Sequence, residues 1–380
     1  MFAYSLPESL IKGLSIRAKE LGAINLGQGI PSFPTAAHII AAAKSALSDP
    51  IIGVYPNFLG EQALRQAIAA RHAREEHIAV DESNVLVTVG AMEGTAAAIL
   101  TVVETSNRVA IVTPDYCNHV PQVLLARGEL VSIPLKEKSG WALDLDLLEQ
   151  EAKKGLKLLV LTNPNNPVGS VLSREELASV VSIAKKHGFW LLADETYAFL
   201  TYDTPFVSLL SWWKEYDRLL VVRSFSKEYA MTGWRVGYVI ARPKHIKSIA
   251  KVHDALTGCA PKISQKAAFA AITGPQAIVD RYRQAFTKRR QLTMDILQSE
   301  NDRISFVPPL GAYYLFLKYR GTEKSIPLCE QLLTKAKVAA VPGVAFGQGG
   351  EYHIRISFAV SEEILTEGIE RMIRFFDVES

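Results

Sequence analysis

The chain has 380 residues, 48% of them hydrophobic and 21% charged, with a formal net charge of +3. That balance suits a soluble globular protein large enough for two domains, and so small a charge excess leaves no electrostatic footprint for nucleic acid. The three cysteines (Cys117, Cys259 and Cys329) are odd in number and far apart, which argues against a disulfide framework and fits the cytoplasm, while the eight histidines lack metal-ligand spacing.

Residues Met1–Leu14 have no basic region and carry Glu8, so a secretory signal is not expected. A glycine-rich loop, Asn25-Leu26-Gly27-Gln28-Gly29-Ile30-Pro31, follows; its backbone could close over a ligand. Tyr55 lies in a loop ahead of a helix beginning near Glu61. From Val85 onward, apolar β-rich runs alternate with helical patterns. The runs are Val85–Val89, Arg108–Val112, Leu130–Pro134, Lys157–Leu161, Phe189–Ala193 and Leu219–Arg223; the helices are Ala91–Val103, Asn118–Arg127, Asp144–Lys154 and Arg174–His187. The longest apolar stretch, Thr95–Val103, is far too short to span a membrane. Arg235–Ala241 reads as a seventh strand, near enough to the sixth to return antiparallel. The expectation is an α/β fold with a mainly parallel seven-stranded sheet flanked by helices.

After Pro261 the texture changes. A long helical region covers about 275–300, and its basic run (Arg281, Arg283, Lys288, Arg289, Arg290) reads as a solvated face. Strand-like pieces follow at Ile304–Val307, Tyr313–Leu317, Val338–Val341 and His353–Phe358, then a last helix over 362–376. Residues 37–262 are expected to form a large domain, and 263–380 with 1–36 a smaller α+β domain. A cleft between them is the natural place for a ligand.

The chemistry concentrates where strands end. Ser224-Phe225-Ser226-Lys227 puts a lysine between hydroxyls at the end of the sixth run, and Arg235 follows in Gly233-Trp234-Arg235-Val236-Gly237. The plain alternative is a surface lysine. An amine that can form an imine with an aldehyde, beside groups that can hold a phosphate, matches pyridoxal 5′-phosphate (PLP). Asp194 ends another run, where a buried acid needs a cationic partner; a pyridinium nitrogen is one, a helix cap or structural ion pair the alternative. In Asn163-Pro164-Asn165-Asn166-Pro167-Val168-Gly169, two Asn-Pro steps force an irregular loop whose carboxamides can donate to a phenolate oxygen, as can Tyr197. Val89-Gly90-Ala91-Met92 opens a helix whose first amides suit a phosphate. Tyr116 can either stack on a ring or belong to the core. Arg355, between apolar residues of a strand, needs an anion, either a substrate carboxylate or an interdomain carboxylate. Phe2, Tyr4, Phe33, Phe58 and Tyr314 are aromatics that could line a side-chain pocket or pack at a surface.

Taken together, SxSK with an arginine eight residues on, NPNNPxG and DExY in this order resemble the class I/II PLP-dependent aminotransferases of fold type I. The likeness runs from Asn25 to Phe358. It implies that Lys227 binds the cofactor and shuttles a proton, Asp194 pairs with the ring nitrogen, and Asn166 and Tyr197 reach the ring oxygen. Ser224, Ser226, Arg235 and the backbone of Ala91 and Met92 would hold the phosphate, and Tyr116 would stack on the ring. Arg355 and the backbone near Gly29 would bind the substrate α-carboxylate, with Asn166 beside them. Tyr55 would reach the phosphate of a neighbouring subunit, which implies a homodimer. Met92 and Val168 depart from the usual residues, and no second arginine for a distal carboxylate is evident. The implied activity is transfer of an amino group from an L-amino acid, aromatic or large apolar by preference, to a 2-oxo acid by a ping-pong route. A PLP-dependent C–S β-lyase is the enzymatic alternative. A ligand-sensing domain is the other, disfavoured because the lysine is kept and no DNA-binding extension precedes Asn25. No metal, nucleic acid or membrane partner is expected.

Overall fold

A computed structural model describes residues 10–300 and 303–378. The chain begins with α1 (Leu10–Glu20), β1 (Ile24–Asn25), α2 (Ala37–Ala46) and α3 (Gln62–Glu75). The middle comprises β2 (Val85–Thr88), α4 (Gly90–Val102), β3 (Arg108–Thr113), α5 (His119–Leu125), β4 (Glu129–Pro134), α6 (Leu145–Lys153), β5 (Leu156–Thr162), α7 (Arg174–His187), β6 (Trp190–Asp194), β7 (Leu219–Ser224), a single turn α8 (Phe225–Glu228) and β8 (Gly237–Ile240). Then come α9 (Pro243–Thr257), α10 (Lys262–Thr273), α11 (Ala277–Glu300), β9 (Ile304–Phe306), β10 (Tyr314–Tyr319), α12 (Ser325–Gln331), β11 (Val338–Ala339), β12 (Val341–Pro342), β13 (His353–Ser357) and α13 (Glu362–Val378).

The strands β2 to β8 form one seven-stranded sheet in the order β2-β8-β7-β6-β5-β3-β4. Pairs within β7-β6-β5-β3-β4 are parallel, and β8 runs antiparallel to both β7 and β2. The sheet is covered on both faces, which is why its runs show no polar alternation. Leu158 and Val160 pack with Ala97, Ile99 and Ile249 on one side, while Leu159 and Leu161 pack with Leu177 and Val180 on the other. Helix α7 illustrates how local chemistry sets an element's limits. Ser173 Oγ accepts from the Glu176 amide at 3.1 Å, the Glu176 carboxylate accepts from the Ser173 amide at 2.9 Å, and Gly188 ends the helix at φ 74°.

A second, antiparallel sheet has the order β12-β13-β10-β9, and β1 pairs in parallel with β11. The expected elements do not include α9 and α10. In α9 the buried positions Ile246, Ile249, Ala250 and His253 are interspersed with Lys244, Lys247 and Lys251, which dilutes the periodic signal. The basic run on α11 is also not one solvated face. Arg289 and Arg290 are buried, donating to the carbonyls of Ala359 at 3.1 Å and Pro309 at 2.8 Å. No described helix is long and apolar enough to cross a membrane.

One feature of this topology positions the site. Strands β3, β5, β6 and β7 are parallel, and β2 points the same way because β8 is antiparallel to both β2 and β7. Their carboxyl ends therefore meet along one sheet edge, where open α/β sheets take ligands.

Candidate active site

A cavity of about 480 Å³ lies at that edge, lined from β2–α4, β3–α5, β5, β6, β7–α8 and β13 and from the N-terminal segment. Every residue put forward from the sequence as catalytic, cofactor-binding or carboxylate-binding lines it, except Tyr55.

One end gathers hydroxyls, helix-start amides and a guanidinium. Ser224 caps α8, its Oγ accepting from the Ser226 amide at 3.1 Å, and both serines line the cavity. Ala91 and Met92 lie in the first turn of α4, where amides have no carbonyl of their own helix to reach. Arg235 is not in a strand, as the sequence suggests. It adopts φ 53°, just before β8, and its guanidinium donates to Thr232 O at 3.0 Å and Val89 O at 3.3 Å. That turn holds the guanidinium against Gly90, where any side chain would collide with it.

Lys227 stands in the middle. Its Nζ donates to the Gly29 carbonyl at 2.6 Å. Burial, with the positive charges of Arg355 and Arg235, pushes its amine down to about 8, against a smaller opposing pull from Asp194. Asp194 ends β6, and its Oδ1 accepts from the Thr196 amide at 3.0 Å. Tyr197 follows on the next turn, its hydroxyl 2.7 Å from that of Tyr314, and burial raises its phenol well above the usual range. Asn166 is buried; its Oδ1 accepts from Arg355 Nη1 at 2.8 Å, so the carboxamide presents Nδ2 on its other side. Tyr116 accepts from Asn118 Nδ2 at 2.7 Å.

Arg355 closes the far wall. It is 2% exposed, and its polar partners are neutral: Asn166 and the Gly27 carbonyl. The guanidinium sits 4.3 Å over the ring of Tyr314 and 4.9 Å over that of Phe346, and its Nε is buried with no hydrogen-bond partner. Opposite, Gly29 packs so closely on Tyr314 that a Cβ there would run into the phenol.

Behind the cavity is a cluster the sequence did not disclose. His119 is fully buried, its Nδ1 2.7 Å from Asp115 Oδ2 and its Nε2 3.7 Å from Asp194 Oδ2. Thr162 Oγ1 donates to the other Asp115 oxygen at 2.5 Å. Burial opposes a charge on this ring, but the Asp115 carboxylate outweighs it, with help from Asp194, and raises the imidazole to about 10. An Asp four residues ahead of a His at a strand–helix junction was the available signal.

Other residues fall elsewhere. Tyr55 is 89% exposed and does not line this chain's cavity. Phe33 stacks on Tyr282 with ring centroids 4.3 Å apart, Phe58 is exposed, and neither lines the cavity, whereas Tyr314 does. Phe2 and Tyr4 lie outside the described residues. Ile11 and Lys12 of α1, Gln28 and Cys117 also line the cavity without having been foreseen. Among the described residues no three His, Cys, Asp or Glu side chains cluster as a metal site would.

Comparison with known proteins gives a consistent picture. The family model for aminotransferase class I and II matches residues 22–372. The aspartate aminotransferase of Thermotoga maritima is 32% identical over 98% of this chain and 97% of its own. The aromatic-amino-acid aminotransferase 2 of Thermococcus litoralis is 32% identical over 92% and 91%. The solved structure of the T. maritima aspartate aminotransferase superposes with a TM-score of 0.92 over 99% of both chains, at 32% identity. That of the Thermus thermophilus aspartate aminotransferase with maleate gives 0.92 over 98% of each, at 29% identity.

Proposed function

We propose, from the premise that the chain belongs to the class I and II aminotransferases, that it moves the amino group of an L-amino acid to a 2-oxo acid using pyridoxal phosphate held in the cavity described above. The observation that carries this reading is Arg355. A buried arginine whose polar partners are all neutral is costly unless an anion completes it. It faces the same cavity as Lys227, so a carboxylate there lies within reach of the amine.

The residues present fit the cofactor. Ser224, Ser226, Arg235 and the first turn of α4 suit its phosphate, and Asp194 its ring nitrogen. Asn166 and Tyr197 suit its ring oxygen, Tyr116 its face, and Lys227 its aldehyde. When bound, pyridoxal phosphate supplies an aldehyde that condenses with amines and a ring that withdraws electrons from the adjoining carbon. The protein's own groups do the rest. Arg355 holds the α-carboxylate in a forked pair of bonds, with the Gly29 backbone opposite, and so fixes which bond at Cα faces Lys227. Lys227 Nζ, only weakly basic for a lysine, accepts the Cα proton and later gives it up again. Gln28, Gly29 and Ile30, which line the cavity, would limit water there during that transfer. The donor leaves as an oxo acid before the acceptor enters, which gives ping-pong kinetics.

Ile11, Ile30 and Tyr314 offer an apolar wall and Lys12 a cation, which supports a broad donor range with aromatic side chains included. The exposed apolar run Ile51, Val54, Tyr55 and Phe58 supports a homodimer in which Tyr55 reaches the partner's phosphate site. Residues 37–262 form the large domain in this reading, and 1–36 with 263–380 the small one, a division supported by the pairing of β1 with β11. The free cysteines suit a cytoplasmic setting. The test is a screen of amino donors against several oxo acids, read by product mass. Matched oxo-acid and amino-acid products support transfer; ammonia and pyruvate released from a cysteine conjugate, without transfer, would favour a β-lyase.

A further inference from the structure

We propose that Asp115 is a positioning residue that holds His119 as an imidazolium, giving Asp194 a permanent cationic neighbour on the side away from the cavity. The inference rests on the reading of Asp194 as the cofactor-facing carboxylate, and it adds a layer behind that residue.

The His119 ring is fully buried, and the two carboxylates approach it unequally. Asp115 lies 2.7 Å from Nδ1 in a hydrogen bond, whereas Asp194 lies 3.7 Å from Nε2, within ion-pair range but beyond a hydrogen bond, so Nε2 is a buried polar atom without a hydrogen-bond partner. A neutral ring carries one N–H, so one nitrogen would turn a lone pair toward a carboxylate. Only the doubly protonated ring directs an N–H toward both carboxylates, hydrogen-bonding Asp115 and meeting Asp194 as an ion pair. The charged groups facing the ring are Asp115 from its own segment and Asp194 from β6. The Tyr116 ring also packs against it, edge-on with centroids 5.5 Å apart.

Asp115 is the closer and better fixed of the two carboxylates. It is 2% exposed, its amide donates to Phe346 O at 2.9 Å, and Thr162 Oγ1 donates to its Oδ1 at 2.5 Å. Thr162 ends β5, and its Cα pairs with that of Asp194 on β6. The same two strands therefore hold both carboxylates, and the imidazolium bridges them. The sequence of charges inward from the cavity is negative at Asp194, positive at His119 and negative at Asp115. A cationic ring nitrogen arriving above Asp194 would continue that alternation. Without the Asp115 charge, burial favours the neutral imidazole, and Asp194 loses its neighbouring cation.

The test combines a direct probe of the ring with a mutant cycle on the full-length protein. Histidine-labelled protein would be followed by NMR from pH 6 to 10, with His119→Gln used to identify the His119 signals. The wild-type ring is expected to stay doubly protonated through pH 8, and the Asp115→Asn ring to lose its proton below pH 7. Pyridoxal phosphate affinity would be measured by absorbance titration for wild type, Asp115→Asn, His119→Gln and the double variant. Asp115→Asn should weaken binding by about tenfold, an ordinary size for coupling between neighbouring groups. Added to His119→Gln it should cost nothing further, because Asp115 acts through that ring. A neutral His119 in the wild type at pH 7, an Asp115→Asn ring that remains charged, or effects that add in the double variant would each overturn the proposal. Wild-type cofactor binding and amino transfer serve as the control for the underlying reading. If they are absent, that reading fails; if they are present and the cycle is additive, only the role of Asp115 fails.

Discussion

Replacing Arg355 by alanine separates substrate recognition from cofactor binding. The guanidinium has two hydrogen bonds to neutral groups and lies over two aromatic rings, and none of these contacts requires a negative charge. What a substrate adds is a carboxylate on a desolvated arginine. Each charged hydrogen bond of this kind contributes about 1.5–3 kcal/mol, so a forked pair is worth about 3–6 kcal/mol. Arg355→Ala should therefore lower kcat/KM for amino acids by about 10²- to 10⁴-fold. Pyridoxal phosphate affinity should change by less than about tenfold, because only one of its proposed contacts, Asn166, is hydrogen-bonded to Arg355. Arg355→Lys should recover only part of the loss, since a point charge cannot reproduce the fork. A decisive comparison uses the decarboxylated amine of the best amino-acid donor. Wild type should strongly prefer the amino acid, and the variant should treat the two almost alike. An equal fall for amine and amino acid, or a cofactor affinity that collapses with the substrate effect, would show that Arg355 is structural and that the carboxylate binds elsewhere.

Three further outcomes follow from the same geometry. In cofactor-free protein, Lys227 is lowered to about 8, so its reactive neutral form should predominate above that pH and vanish below it; labelling by an amine-directed reagent should inflect near 8, and an inflection above 10 would contradict the burial argument. Gly29→Ala places a methyl group against the Tyr314 phenol and should cost about 1–3 kcal/mol in urea denaturation, as overpacking does. Combining it with Tyr314→Phe, which removes the hydroxyl, should restore part of that loss; a harmless Gly29→Ala, or no restoration, would mean that the loop yields freely. Tyr55 is proposed to act across a dimer interface, so sizing should find a dimer at assay concentrations, and a fully active monomer would remove that role.

Much of this organisation was legible because buried parallel strands write themselves as continuous apolar runs. Leu156–Thr162 and Leu219–Ser224 are examples, and the residues that follow such runs fall at one sheet edge. The lysine and its two serines, Asp194, and the asparagine loop all sit at such ends, so their convergence could be read from order alone. Other features depend on contacts that sequence spacing does not encode. Arg289 and Arg290 look like surface charges, yet they are drawn inward by carbonyls at the far ends of other segments. Phe33 resembles a pocket wall but finds a stacking partner in Tyr282, 249 residues away in the chain. Arg235 adopts a left-handed turn in place of a regular strand, and its guanidinium lies against Gly90, which has no side chain to obstruct it. His119 gave only an i, i+4 pairing with Asp115, a spacing common on helices, and its meeting with Asp194 depends on the order of β3, β5 and β6 in the sheet.

Lys227 is proposed as the residue that carries the cofactor. Borohydride reduction of the cofactor-loaded protein, followed by peptide mass analysis, should place a pyridoxyl adduct on the peptide containing Lys227. The Lys227→Ala protein should bind pyridoxal phosphate but yield no such adduct. An adduct on another lysine, or an undiminished one in Lys227→Ala, would contradict that assignment.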